Sequence, residues 1–172
     1  TGTEFNIDNR YVMSPRDLCT LEFFDRILES GVSVLKIEGR GRSADYVAHV
    51  VRVYRAALDQ WLRGEPLRPE QLAKWEEELA SVFNRGFWKG GYYLGNRLGE
   101  WAACGDSQAI VRKEFVGRIV NYYKKPEVAE LQMTSGELVP GDRILVTSDT
   151  TGAQELKVDE FLLDGAAVNP AK

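Results

Sequence analysis

Lys36, Glu38, Arg40 and Arg42 alternate along one short stretch, Val34-Leu35-Lys36-Ile37-Glu38-Gly39-Arg40-Gly41-Arg42-Ser43. Arginine forks match the geometry of a carboxylate or a phosphate, and an acid beside them can orient one fork or pair with Lys36. The apolar residues Val32, Val34, Leu35 and Ile37 predict a strand that ends at Gly39. Side chains alternate across a strand, so Lys36 and Glu38 share one face and Leu35 and Ile37 the other. Ser43 then stands at the cap of a helix, with Asp45 in its first turn. The four charges would meet at a strand-to-helix corner, where parallel α/β folds bind ligands. The same residues equally fit a solvated loop with a local Lys36–Glu38 pair.

Other reactive side chains are sparser. Cys19 falls inside the first expected helix, where a free cysteine is usually a small buried apolar residue. Cys104 matches no ligand spacing. His49 is the only histidine. It lies one turn past Asp45 and reads as a surface residue, and it cannot make a zinc site with two cysteines at any standard spacing. Ser14 and Ser43 read as caps, and neither a G-x-S-x-G elbow nor a cysteine–histidine pair at a signature spacing is visible. Phe87, Trp88, Tyr92 and Tyr93 can stack on bases or pack a domain junction. Arg118, Lys124, Lys125 and Arg143 form a modest basic set or ordinary surface charge.

The elements that must position these groups follow from pattern. Tyr11–Met13 is a short strand candidate. Ser14-Pro15-Arg16-Asp17 reads as a helix start, with Leu18, Leu21, Phe24, Ile27 and Leu28 at helical period and Gly31 as the stop. After the strand at Val34–Glu38, a second helix runs from Ala44 to Leu62, its stripe Val47, Val50, Val51, Tyr54, Leu58 and Trp61. Residues 11–62 thus read β-α-β-α, with parallel strands. Gly64-Glu65-Pro66 breaks the pattern, and Pro69 opens a third helix with Leu72, Trp75, Leu79 and Val82 on one face and Gly86 as its stop. Much of 96–113 is expected as loop. Strands are expected at Phe115–Tyr123, Val128–Met133, Asp142–Ser148 and Gln154–Leu163, with Val168 starting a fifth. Turn signals at Lys125-Pro126, Ser135-Gly136, Pro140-Gly141 and Thr151-Gly152 separate them and suggest a small antiparallel barrel.

The whole chain sets bounds. Its 172 residues can hold one ordinary domain or two small ones, and a 44% hydrophobic content is ample for a core. A net charge of −4 gives no global basic footprint for nucleic acid. No apolar run approaches the ~20 residues of a membrane helix, so no membrane partner is expected. No signal peptide is expected, and two cysteines make no disulfide framework, so a reducing, cytoplasmic setting is expected. The start at Thr1-Gly2, without a methionine, suggests a fragment or a processed or engineered end.

Four segments carry a resemblance. Lys36-Ile37-Glu38-Gly39-Arg40, followed by Ser43 and Tyr46-Val47, resembles the KIEGR-x-x-S-x-x-YV segment of the collagenase-like peptidase family U32, of unknown catalytic type. Tyr11-Val12-Met13-Ser14-Pro15-Arg16-Asp17-Leu18-Cys19 resembles that family's Y-[LVI]-M-[NS]-S-K-D-L-C segment. Arg85-Gly86-Phe87 through Gly95 resembles its R-G-[FY]-x-x-G-[FY]-x-x-G connector, and Gly136–Asp142 the L-x-x-G-D turn of the elongation-factor barrel that follows its main domain.

The family includes collagenase-like proteases, prephenate-dependent hydroxylases of tRNA and ribosomal RNA, and ubiquinone-hydroxylation proteins. The resemblance implies an α+β chain: the last two β-α units of a modified TIM-type barrel (1–85), a glycine- and aromatic-rich connector (86–113), and a small β-barrel lacking its last strand (114–172). It implies that the longer parent hydroxylates a tRNA uridine, with a collagenase-like protease as the alternative and a non-catalytic binding module as a third. It also implies that Cys19 is one of four iron–sulfur ligands in the parent, while the chain alone holds no cluster and is inactive. Lys36, Glu38, Arg40 and Arg42 are then the substrate-binding candidates, for an RNA or peptide substrate. The isolated chain is expected to form a homodimer through edges that the parent would cover, with Val34, Leu35, Ile37, Phe24 and Leu28 left short of cover.

Overall fold

A computed structural model describes residues 14–90, 101–102, 105–163 and 166–168. The chain divides into two compact units, Thr1–Val111 and Arg112–Lys172. Among the described residues the first contains all the helices, and the mixture of helix and strand is α+β.

Among its described residues, three helices build the first unit. α1 is a short helix, Phe24–Glu29, entered through a 3-10 turn at Leu21–Phe23; α2 spans Ala44–Leu62 and α3 spans Pro69–Ala80. Proline at the first position of α3 costs nothing, because that N–H has no partner in a helix anyway. Gly31 ends α1 with a φ of +81°, which a side chain would resist. The apolar faces meet in one core of Leu21, Phe24, Leu28, Val50, Val53, Ala57, Trp75 and Leu79. The Phe24 and Tyr54 rings meet edge to face at 5.2 Å between centroids.

Several expectations need correction. Residues 14–19 do not start a helix. Asp17–Leu18 is a strand, β1, paired in parallel with β2, Phe87–Trp88. The Asp17 and Cys19 amides donate to the Gly86 and Trp88 carbonyls, both at 2.9 Å, and Pro15 bridges to Trp101. Backbone bonds to a distant segment therefore outcompete the local Ser-Pro-x-Asp signal. Cys19 follows a strand rather than lying in a helix.

The expected strand at Val34–Glu38 is not a strand either. The stretch is exposed, 83% at Val34, and no neighbouring strand pairs with it among the described residues. An apolar alternation makes a strand only where a partner edge exists. Phe24 and Leu28, expected to lack cover, are buried. α3 ends at Ala80, before Gly86. The inward face of α2 carries Val53, Ala57 and His49, whereas Val47 and Val51 point outward. His49 is thus buried, not on the surface. Ser43 precedes α2, but its hydroxyl makes no capping bond.

The second unit is three antiparallel hairpins: β3 (Gly117–Tyr123) with β4 (Val128–Met133), β5 (Arg143–Ser148) with β6 (Gly152–Lys157), and β7 (Phe161–Leu163) with β8 (Ala166–Val168). The strand expected at Gln154–Leu163 is thus two strands. A bulge interrupts β3 between Ile119 and Asn121. Asp142 closes the turn before β5, its carboxylate accepting the Val139 N–H at 2.9 Å. Among the described residues these strands form no closed barrel, and none of this unit's residues is buried. The strand at Tyr11–Met13 and the side chains of Tyr92, Tyr93, Cys104 and Val168 lie outside the described residues.

Candidate functional site

Arg40 and Arg42 look equivalent in the sequence, and the fold separates them. The turn at Gly39–Arg42 closes with the Arg42 N–H on the Gly39 carbonyl at 3.0 Å, and Gly41 takes a φ of +71°. A Cβ on Gly39 would come within 3.0 Å of Val47 Cγ2, so the turn packs directly on the first turn of α2. Within the turn, a Glu38 carboxylate oxygen accepts the Arg40 N–H at 2.8 Å. Lys36 and Arg40 are exposed, and neither side chain has an ion-pair or hydrogen-bond partner among the described residues.

Arg42 turns inward instead. Its Nη2 donates to Asp17 Oδ1 at 2.6 Å, and both side chains are about one-sixth exposed (16% and 15%). The guanidinium also lies over two rings, Tyr46 at 5.1 Å and Phe83 at 4.5 Å. Asp17 collects more than this one bond. Its Oδ2 accepts the Arg85 N–H at 2.9 Å, and Oδ1 accepts Arg85 Nη2 at 3.3 Å. One carboxylate therefore joins β1, the glycine turn and the segment after α3. Sequence reading passed over Asp17, treating it as a helix-start acid. No local signal marks it: its sequence neighbours are Arg16 and Leu18, and its partners lie 25 and 68 positions away.

Beside Asp17 lies a cavity of about 40 Å3, lined by Cys19, Tyr46, Tyr54, Asn84 and Phe87 among others. Cys19 is buried, and desolvation pushes its thiol above the ordinary value. A raised thiol is the reverse of what a cysteine nucleophile needs. Tyr54 is also raised, chiefly by burial, and its hydroxyl accepts the Thr20 N–H at 2.9 Å. His49 Nδ1 lies 2.9 Å from the Asp45 carbonyl, which can only accept, so that nitrogen carries the proton.

An iron–sulfur cluster needs four thiolates or close equivalents. The described residues offer one buried thiol at Cys19 and no group of three or more metal-ligating side chains. This set does not fit a cluster by itself. No helix among the described residues is long and apolar enough to cross a membrane.

Comparison with known proteins bears on the same segments. The chain is 44% identical to a collagenase of Porphyromonas gingivalis over 99% of its own length and 41% of that protein's. It is 35% identical to an uncharacterized protease of Methanocaldococcus jannaschii, over 98% of the chain and 41% of the relative. Likeness to the tRNA hydroxylation protein P1 of Bacillus subtilis is 34% over 73% of the chain and 29% of that protein. The chain thus spans less than half the length of these relatives. No solved structure matches it. The model of Peptidase family U32 matches residues 1–103, more than half the chain and the part that contains Asp17, Cys19 and the Lys36–Arg42 stretch, and the protein belongs to that family.

Proposed function

We propose that a longer U32 protein containing this chain hydroxylates a uridine base of tRNA, and that Arg40 and Lys36 meet the RNA's phosphates. The observation that carries this reading is the exposed glycine turn. It holds one guanidinium with no partner among the described residues and an ammonium nearby, while the local carboxylate, Glu38, is occupied by a backbone N–H. Free cations on a turn suit a polyanion. The tRNA hydroxylation proteins among the relatives support the same direction. In this reading Cys19 is one thiolate of the parent's cluster, the other ligands come from outside this chain, and residues 1–85 complete a modified barrel in which Val34–Glu38 pairs as a strand. The parent works in the cytoplasm.

The second reading is a collagenase-like protease, favoured by the 44% identity to a protein named collagenase. The burial of Cys19 speaks only against a cysteine nucleophile at that position. The test is nucleoside mass spectrometry of tRNA from cells lacking the parent gene, complemented with the wild type or with Arg40→Ala. Hydroxylated uridine is expected to return with the wild type and to be reduced with Arg40→Ala. Unchanged nucleosides, with collagen degradation lost instead, would establish the protease.

A further inference from the structure

We propose that Asp17 is a positioning residue for anion binding. It anchors the Arg42 guanidinium, and this fixes the Gly39–Arg42 turn that presents Arg40 to an RNA phosphate. The inference rests on the RNA reading above only for the identity of the ligand. The positioning itself stands on geometry.

The argument starts from where each charge is held. Arg42 is restrained on three sides: Asp17 Oδ1 at 2.6 Å, the Tyr46 ring and the Phe83 ring. Arg85 restrains Asp17 in turn, through its backbone N–H and its Nη2. Only Gly41 separates Arg42 from Arg40, and the turn that holds both is closed by the Arg42 N–H on Gly39 O. Gly41, with its positive φ, gives this turn freedom to change shape unless one end is fixed. Arg40 has no side-chain anchor of its own among the described residues, so its place depends on the residue that holds Arg42. That residue is Asp17, 25 positions away in sequence and on a different element.

The sign of the effect makes the proposal testable. Asp17→Asn removes a negative charge near the turn. If Asp17 were only a local charge, the substitution would strengthen RNA binding. A positioning role predicts weaker binding, because Arg40 loses its fixed place.

The experiment uses the full 172-residue chain and a fluorescein-labelled oligouridylate, with fluorescence anisotropy measured over a salt series. Arg40→Ala is expected to lower the salt slope by about 1, the signature of one lost phosphate contact. Asp17→Asn is expected to weaken binding several-fold, and to have no further effect when combined with Arg40→Ala. A merely structural role would give the same loss in both backgrounds. Asp17→Asn binding as tightly as wild type, or more tightly, overturns the proposal.

Trypsin gives a second, ligand-free measurement. Cleavage after Arg40, read by mass spectrometry relative to cleavage after Arg55 within α2, is expected to accelerate in Asp17→Asn. Equal acceleration at both sites would mean general unfolding. Arg42→Lys then replaces it, keeping net charge while losing the planar fork, and the same readouts apply. If the wild type does not bind the oligouridylate, or Arg40→Ala leaves the slope unchanged, the RNA reading fails. The relative trypsin rates then decide the positioning role alone: selective acceleration supports it, and unchanged rates overturn it.

Discussion

Arg42→Ala and Arg40→Ala, two substitutions two residues apart, should differ sharply in stability. Truncating Arg42 removes a charge-assisted hydrogen bond between two mostly buried partners, worth about 1.5–3 kcal/mol. It also removes contacts over the Tyr46 and Phe83 rings, each worth about 0.5–1 kcal/mol. Asp17 keeps its two bonds from Arg85, so its carboxylate is not stranded and no further desolvation penalty follows. These add to about 2.5–5 kcal/mol; a loss of about 3 kcal/mol, toward the lower end because contributions from one side chain overlap, is a large part of the 5–15 kcal/mol that typically holds a domain folded. Arg40→Ala, an exposed change with no partner to lose among the described residues, should cost under about 0.5 kcal/mol. Urea unfolding read by tryptophan fluorescence suits the comparison, because Trp61, Trp75, Trp88 and Trp101 all precede residue 112 and report on the helical unit. With a urea slope near 2 kcal/mol/M, Arg42→Ala should shift the midpoint by about 1.5 M and Arg40→Ala by under about 0.3 M. Equal shifts for the two variants would refute the division of roles between them.

Two further outcomes are expected. Burial holds the Tyr54 phenol above its ordinary 10.0, so the folded chain keeps a proton that the unfolded chain releases. Its contribution to stability is therefore complete below pH 10 and is lost as pH rises further; Tyr54→Phe should flatten the alkaline limb of a pH–stability curve, and an unchanged limb would contradict this. Val34 at 83% exposure, with Leu35, Phe115 and Leu162 also open, leaves apolar surface that usually finds a partner, so light scattering on the purified chain should show a dimer or larger species; a monodisperse monomer would count against it.

Local patterns were enough for some elements and not for others. Pro69 and the Leu72, Trp75, Leu79 spacing identify α3, and the Ala44–Leu62 helix is legible end to end. The strand Val128–Met133 is bounded by its own turns, with Glu127 in the left-handed region after Lys125-Pro126. These features depend on neighbours a few residues away. Residues 14–19 and 34–38 depend on distant partners instead. The first stretch has one, at Gly86–Trp88, and becomes a strand against its own helix signal; the second has none among the described residues and stays irregular. In the site, the same limit applies. Spacing identified both arginines, but only tertiary contacts with Asp17 and Phe83 show that one of them faces inward.

The pairing of β1 with β2 also sets an order of events. Asp17 and the Arg85 it binds are 68 positions apart, and closing a loop of that length costs on the order of 4 kcal/mol of chain entropy. Two residues of strand and a few bonds to one carboxylate cannot meet that cost alone. The helices must first bury Phe24, Val53 and Trp75 against one another and bring the two ends together. The junction should therefore form late in folding and open early, with the Asp17 and Cys19 amides exchanging with solvent before those in the middle of α2. The binding turn is tethered to that junction through Arg42, so its order lasts only as long as the latest-formed bonds in the unit.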